Sequence, residues 1–215
     1  MRSTVSPRAL RHVRAFSSTA RRLDTYGFIG LGQMGYQMAR NLQSKLPPSD
    51  TVRLFDINRG AMQKLAAEMK TSQIGGAAVE LADSAEAAST EAANLVIQDT
   101  VITVLPEPSH VKSVYASIIS HLQSKPPTTA TGTGGQPQPR RLFIDCSTID
   151  PASSREVAAL VAEGTSGAAA FVDAPMSGGV VGATAGTLTF MLGAPGNLVS
   201  RRTDAAHHGP AGAAL

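Results

Sequence analysis

Three glycines stand in Gly30-Leu31-Gly32-Gln33-Met34-Gly35, a G-x-G-x-x-G run. An apolar segment, Thr25-Tyr-Gly-Phe-Ile29, leads into it, and a helical pattern from about Gln33 to Lys45 follows. In that setting each glycine serves a different purpose, namely a tight turn, close approach of backbone to a diphosphate, and close packing of helix on strand. The diphosphate would rest on the helix N-terminus, where free N–H groups and the helix dipole attract anions. Asp56 lies 21 residues after Gly35, at the end of the next apolar segment, Val52-Arg-Leu-Phe-Asp56. A carboxylate there can accept from ribose hydroxyls and would repel a 2′-phosphate, which favours NAD. Arg59 follows three residues later and could in principle hold a 2′-phosphate, so NADP stays open as the alternative.

A second constellation occupies Phe171 to Gly193, where an apolar strand runs into Ser177-Gly178-Gly179 and a loop rich in glycine and hydroxyls, then returns to a strand. Glycine lets backbone N–H groups approach a small anion without a Cβ clash, and the serine adds a hydroxyl donor. Ser177 lacks the G-x-S-x-G setting of a hydrolase nucleophile. Cys146, the single cysteine, has no flanking base and reads as a buried small residue. His207 and His208 have no accompanying cysteine or acid cluster, so no metal site is expected.

The elements that must carry these groups alternate. Strands are expected at 25–30, 52–56, 100–105, 142–145 and from Phe171, and helices at 33–45, 59–70, 84–93, 108–121 and 151–163. This alternation predicts βαβ units and a Rossmann-type, doubly wound, mostly parallel α/β sheet. Lys125 to Arg140, rich in Pro, Thr and Gly, reads as a disordered insertion, and 194–215 as an unstructured tail.

Charge is unevenly distributed. Of 19 basic residues, six arginines fall within residues 1–22, which contain no acid, leaving 13 basic against 16 acidic residues beyond them. The body is thus mildly acidic, which argues against a nucleic-acid-binding face. Arg-rich, Ser-rich and acid-free, residues 1–23 have the composition of a mitochondrial transit peptide. No apolar run approaches the roughly 20 residues of a membrane span.

With Phe143-Ile-Asp-Cys-Ser-Thr-Ile149, the glycine turn and the 173–186 loop resemble the β-hydroxyacid dehydrogenase family over roughly residues 26 to 193. The likeness is strongest to the branch that oxidises 3-hydroxyisobutyrate to methylmalonate semialdehyde in mitochondrial valine breakdown. It implies that Gly30, Leu31, Gly32, Gln33, Met34, Gly35 and Asp56 hold the cofactor NAD, with Leu105, Pro106 and Thr148 lying along it. It also implies that Ser147, Ser177, Gly178 and Gly179 hold the small hydroxy-acid substrate. His110 stands where relatives often carry asparagine.

In the family a lysine, oriented by an asparagine on a second, all-helical domain, serves as acid/base, and the family is homo-oligomeric through that domain. The five lysines here (45, 64, 70, 112 and 125) all precede the substrate loop, and no Gly-x-Gly-x-x-x-Lys pattern follows it. No catalytic residue is therefore assigned, and the expectation is a chain lacking the second domain, impaired in turnover. Two alternatives stay open: an NADPH-dependent glyoxylate or succinic semialdehyde reductase of the same family, and a non-catalytic dinucleotide-binding module.

Overall fold

The computed structural model describes residues 24–71, 75–89, 99–124 and 141–193. The expectations for the leader at 1–23, the insertion at 125–140 and the tail at 194–215 lie outside these residues.

The elements begin β1 (Thr25–Ile29), α1 (Gln33–Lys45), β2 (Thr51–Phe55), α2 (Arg59–Thr71), β3 (Ala78–Leu81) and α3 (Ala85–Ser89). They continue with β4 (Asp99–Thr103), α4 (Pro108–Gln123), β5 (Arg141–Asp145), α5 (Pro151–Gly164) and β6 (Ala169–Asp173). A hairpin-like segment closes the described chain: β7 (Met176–Ser177), α6 (Gly179–Ala185) and β8 (Thr189–Phe190). Strands β1 to β6 form one parallel sheet in the order β3-β2-β1-β4-β5-β6, while β7 and β8 pair antiparallel in a small second sheet. The order reverses between β1 and β4, the point at which open α/β sheets bind ligands outside the carboxyl ends of their strands. This is the doubly wound architecture that the alternation of elements predicts.

Both faces of the sheet are covered, so the central strands β1, β4 and β5 place apolar side chains on both sides. On one face Phe28, Val52, Leu54 and Ile102 pack with Met62, Leu65 and Met69 of α2 and Ala39 of α1. On the other, Ile29, Val101, Phe143 and Phe171 pack with Val111, Tyr115 and Ile118 of α4 and Val157 and Val161 of α5. The period-two alternation of β4 and β5 places Thr103 and Asp145 on the second face, with Val101 and Phe143. Tyr115 is fully buried there, edge-on to Phe143 and Phe171.

Helix α1 buries Gly35, Ala39 and Gln43, one residue every four, and packs Tyr36, Met38 and Leu42 partly buried beside them. The buried Gln43 side chain donates from Nε2 to Ala77 O at 2.8 Å, and the Gln43 backbone carbonyl accepts from Ala77 N at 3.0 Å. Those bonds seat the start of β3, a mostly exposed edge strand without the apolar run that would have announced it.

The structure corrects several sequence expectations. β4 ends at Thr103, not at 105, because Leu105 N leaves the ladder for the Ser147 hydroxyl and Pro106 has no N–H to pair. Of the helix expected at 84–93, the described part is α3, Ala85–Ser89, and 90–93 lie outside the described residues. The stretch after Ser177 is a short helix, not an open loop, entered through Gly178 and Gly179 at φ 133° and 61° and left through Gly186 at φ 69°. Such left-handed backbone is open to glycine at no steric cost.

Candidate dinucleotide and substrate-loop site

The glycine turn sits where β1 meets α1, directly at the switch point. Gly30 N donates to Phe55 O at 2.9 Å, and Val104 N donates to Ile29 O at 2.9 Å, so the turn is clamped between β2 and β4. Gly30 has φ 96°, and a Cβ there would strike Val104 O. A Cβ on Gly35 would strike Gly30 O, so this glycine brings helix and strand together. Gly32 is different. Its backbone is ordinary, φ −64° and ψ −170°, and a Cβ would meet nothing within 4 Å. The fold itself therefore makes no demand for glycine at position 32; the empty space in front of it is what a Cβ would fill.

That space faces the N-terminus of α1, which has no side-chain cap and no acid in its first turn. A helix start left this bare presents its N–H groups and the positive end of its dipole to an anion. Gln33 is exposed and Met34 half-buried beside it, while Leu31 is buried in the core. These residues fit a diphosphate.

Asp56, one residue beyond β2, anchors the turn from the side. Its Oδ2 accepts from Leu31 N at 2.5 Å and its Oδ1 from Asn58 N at 2.7 Å. The carboxylate is thus oriented at the rim of the cleft, with lone pairs remaining for a ribose hydroxyl. Arg59, the first residue of α2, points to the other side, where its Nη2 pairs with Asp83 Oδ1 at 2.8 Å.

Across the switch point, Leu105 is half-buried, with its Cδ2 close to the Gly30 turn, and Pro106 is exposed. Behind them runs a buried chain of polar groups that sequence reasoning missed. Tyr115 OH and Thr103 Oγ1 are 3.1 Å apart, Thr103 Oγ1 donates to Asp145 Oδ1 at 2.7 Å, and Ser147 Oγ donates to the same oxygen at 2.6 Å. Ser147 Oγ in turn accepts from Leu105 N at 2.9 Å. Asp145 is completely buried and its Oδ2 has no partner. Burial pushes its carboxyl above the ordinary range, against the opposing pull of the Ser147 and Thr103 hydroxyls. Burial also drives the Tyr115 phenol well upward, with the Asp145 charge adding to it. Neighbouring Cys146 is 2 % exposed and its thiol is pushed up to about 12, chiefly by burial, so it is inert at neutral pH.

Ser147, expected to hold the substrate, stands behind the cleft with its hydroxyl committed both as donor and as acceptor. The reason is register. Alternation along β5 carries Asp145 inward, and the sharp turn that follows folds Ser147 back onto it, with Ser147 N donating to Asp145 Oδ1 at 3.2 Å. Thr148, by contrast, is exposed at the same end of the sheet.

Ser177, Gly178 and Gly179 are exposed too, on a segment hung from the ends of β5 and β6 by Ala174 N donating to Asp145 O at 2.8 Å. Its second anchor is α1: Asn41 Nδ2 donates to Ala183 O at 2.6 Å, holding the C-terminus of α6. Nothing in the sequence signalled Asn41, since its partner lies 142 residues away. A separate hollow of about 260 Å³, lined by Pro151, Ser154, Arg155 and Asp173, lies between α5 and the outer sheet edge, away from the glycine turn. Among the described residues no cluster of three metal-ligating side chains occurs, and no helix is long and apolar enough to cross a membrane.

Comparison with known proteins agrees with this geometry. The pattern of the NAD-binding domain of 6-phosphogluconate dehydrogenase matches residues 25–205. A protein of Dictyostelium discoideum named probable mitochondrial 3-hydroxyisobutyrate dehydrogenase is 36% identical over 183 residues, covering 85% of this chain and 46% of the relative. An NAD-dependent L-serine dehydrogenase of Pseudomonas aeruginosa is 35% identical over 171 residues, covering 77% of this chain and 45% of the relative. The solved 3-hydroxyisobutyrate dehydrogenase of Mycobacterium tuberculosis, with L-serine, superposes with a TM-score of 0.60 at 34% identity, over 85% of this chain and 50% of that one. The chain spans about half the length of the curated relatives it matches. With a six-stranded parallel sheet, a glycine turn at its switch point and this pattern over residues 25–205, the chain belongs to the family of this NAD-binding domain.

Proposed function

We propose that this chain is the cofactor-binding half of an NAD-dependent 3-hydroxyisobutyrate dehydrogenase of mitochondrial valine breakdown. The observation that carries the dinucleotide reading is Gly32, a glycine the fold does not need, facing open space at an uncapped helix start. Gly30 to Gly35 would hold the diphosphate, and Leu105, Pro106 and Thr148 would line the nicotinamide end. Asp56, already oriented at the rim by two backbone N–H groups, would accept from the ribose and favour NAD over NADP.

When bound, the nicotinamide supplies the hydride acceptor for oxidation of a secondary or primary alcohol. The chain's own part is to orient it and to offer Ser177 and the N–H groups of Gly178 and Gly179 to a small carboxylate. The names of two relatives, one with L-serine bound and one acting on it, widen the substrate class to small 3-hydroxy acids. The mitochondrial names among the relatives and the acid-free Arg-rich leader support a matrix location. The acid/base lysine that the family resemblance implies has no counterpart among the lysines at 45, 64, 70, 112 and 125. We therefore infer binding with little turnover for these 215 residues by themselves.

Calorimetric titration of the chain with NAD and NADP, followed by a turnover assay with 3-hydroxyisobutyrate, tests this. The expected result is saturable binding with NAD the tighter ligand and turnover near background. Failure of both dinucleotides to bind would overturn the reading.

A further inference from the structure

We propose that Asp83 is a coenzyme-selectivity residue, which holds Arg59 away from the position where a 2′-phosphate would lie. The inference rests on the dinucleotide reading above. In the parallel pairing of β2 with β3, Leu54 sits opposite Leu81, so Asp56 and Asp83 each follow two residues beyond a paired position. Ala82 N donates to Leu54 O at 2.9 Å and keeps the two strand ends in step. The two carboxylates thus leave adjacent strands, roughly 5 Å apart, at the same edge of the sheet.

Beside Asp83 stands a cation. Arg59 begins α2, and its Nη2 meets Asp83 Oδ1 at 2.8 Å. Asp56 meanwhile turns both its oxygens to backbone, toward Leu31 N and Asn58 N, and makes no bond to the guanidinium. Arg59 is the side chain best placed by sequence to take a 2′-phosphate, and the fold has given it a carboxylate partner on the far side. The three charges sum to one negative charge at the end of β2. A 2′-phosphate, itself doubly negative near neutral pH, meets that charge and finds its natural partner engaged. A plain ribose, which needs only acceptors, loses nothing.

Both members of the pair are exposed, 68% and 88% for Arg59 and Asp83, and surface pairs of this kind contribute little to stability. Asp83→Asn therefore leaves the fold intact, and circular dichroism checks that it does. Freed from its partner, Arg59 can turn to the phosphate, and the local charge becomes neutral.

The test is titration of NAD and NADP into the full chain as wild type, Asp83→Asn, and Asp83→Asn with Arg59→Ala. The single variant is expected to bind NADP about tenfold more tightly, with NAD changed less than about twofold. Adding Arg59→Ala is expected to remove the gain. The proposal is overturned if Asp83→Asn leaves NADP affinity unchanged while NAD binds normally, or if the gain survives loss of Arg59. A wild-type chain that binds neither dinucleotide removes the underlying reading, and this inference with it.

Discussion

The Ser147 hydroxyl accepts the Leu105 backbone N–H at 2.9 Å and so ties the loop after β5 to the loop after β4. The tie lies next to the switch point, and the same hydroxyl donates to buried Asp145. One side chain therefore couples the polar interior of the sheet to the backbone that would line the nicotinamide.

Ser147→Ala leaves Leu105 N–H without its acceptor in a half-buried setting. A loss of about 1–3 kcal/mol is expected in urea unfolding. NAD affinity should fall several-fold, because Leu105 and Pro106 lose their tether. A variant with wild-type affinity and reduced stability would confine Ser147 to a structural role.

Asp145 concentrates its three accepted bonds on Oδ1, and its Oδ2 is bare. In Asp145→Asn the amide oxygen can keep all three, whereas Asp145→Leu strands their donors and should cost about 3 kcal/mol or more. The pH dependence has a definite sign. A carboxyl raised from its ordinary 3.8 holds its proton longer in the fold than in the unfolded chain. Its contribution to stability is fully present below 3.8 and is lost as pH rises through the folded value, where a buried charge must be borne. Asp145→Asn should therefore gain on wild type as pH rises from about 4 to about 7. Asp173, itself raised by burial, adds its charge to the causes that raise Asp145. Urea midpoints of the two proteins across that range check it.

Two glycines of the turn should separate folding from binding. Gly32→Val has ordinary backbone and free space, so stability should change by less than about 0.5 kcal/mol. Its side chain fills the proposed diphosphate space, and NAD affinity should drop more than about tenfold. Gly35→Ala drives a methyl into Gly30 O and should cost about 1–3 kcal/mol before any ligand is added. Equal effects of the two on binding, scaled by their effects on stability, would count against a diphosphate at Gly32.

Asn41→Ala removes the donor that α1 offers to Ala183 O and Thr184 O. Hydrogen exchange across 179–186 should quicken, at a cost of about 1 kcal/mol in local stability, while the β1–α1 turn keeps its protection. Unchanged exchange would show that α6 is held by apolar packing alone.

The alternation of strands and helices, the glycine turn and the carboxylate at the end of β2 are legible along the chain. Those signals are short in range: periods of two and 3.6 residues, a fixed spacing of glycines, an acid at the next strand end. They could not announce β3, an exposed edge strand of four residues, or α6, a glycine-rich helix of seven. Folding in three dimensions turns Ser147 inward, brings Thr103 to Asp145 across 42 residues of chain, and sets Asn41 at the end of a helix 142 residues away. Strand order and the inward turn after β5 bring those partners together. Such pairings depend on which strands become neighbours in the sheet, and that is settled by packing on both of its faces, which local sequence patterns do not encode.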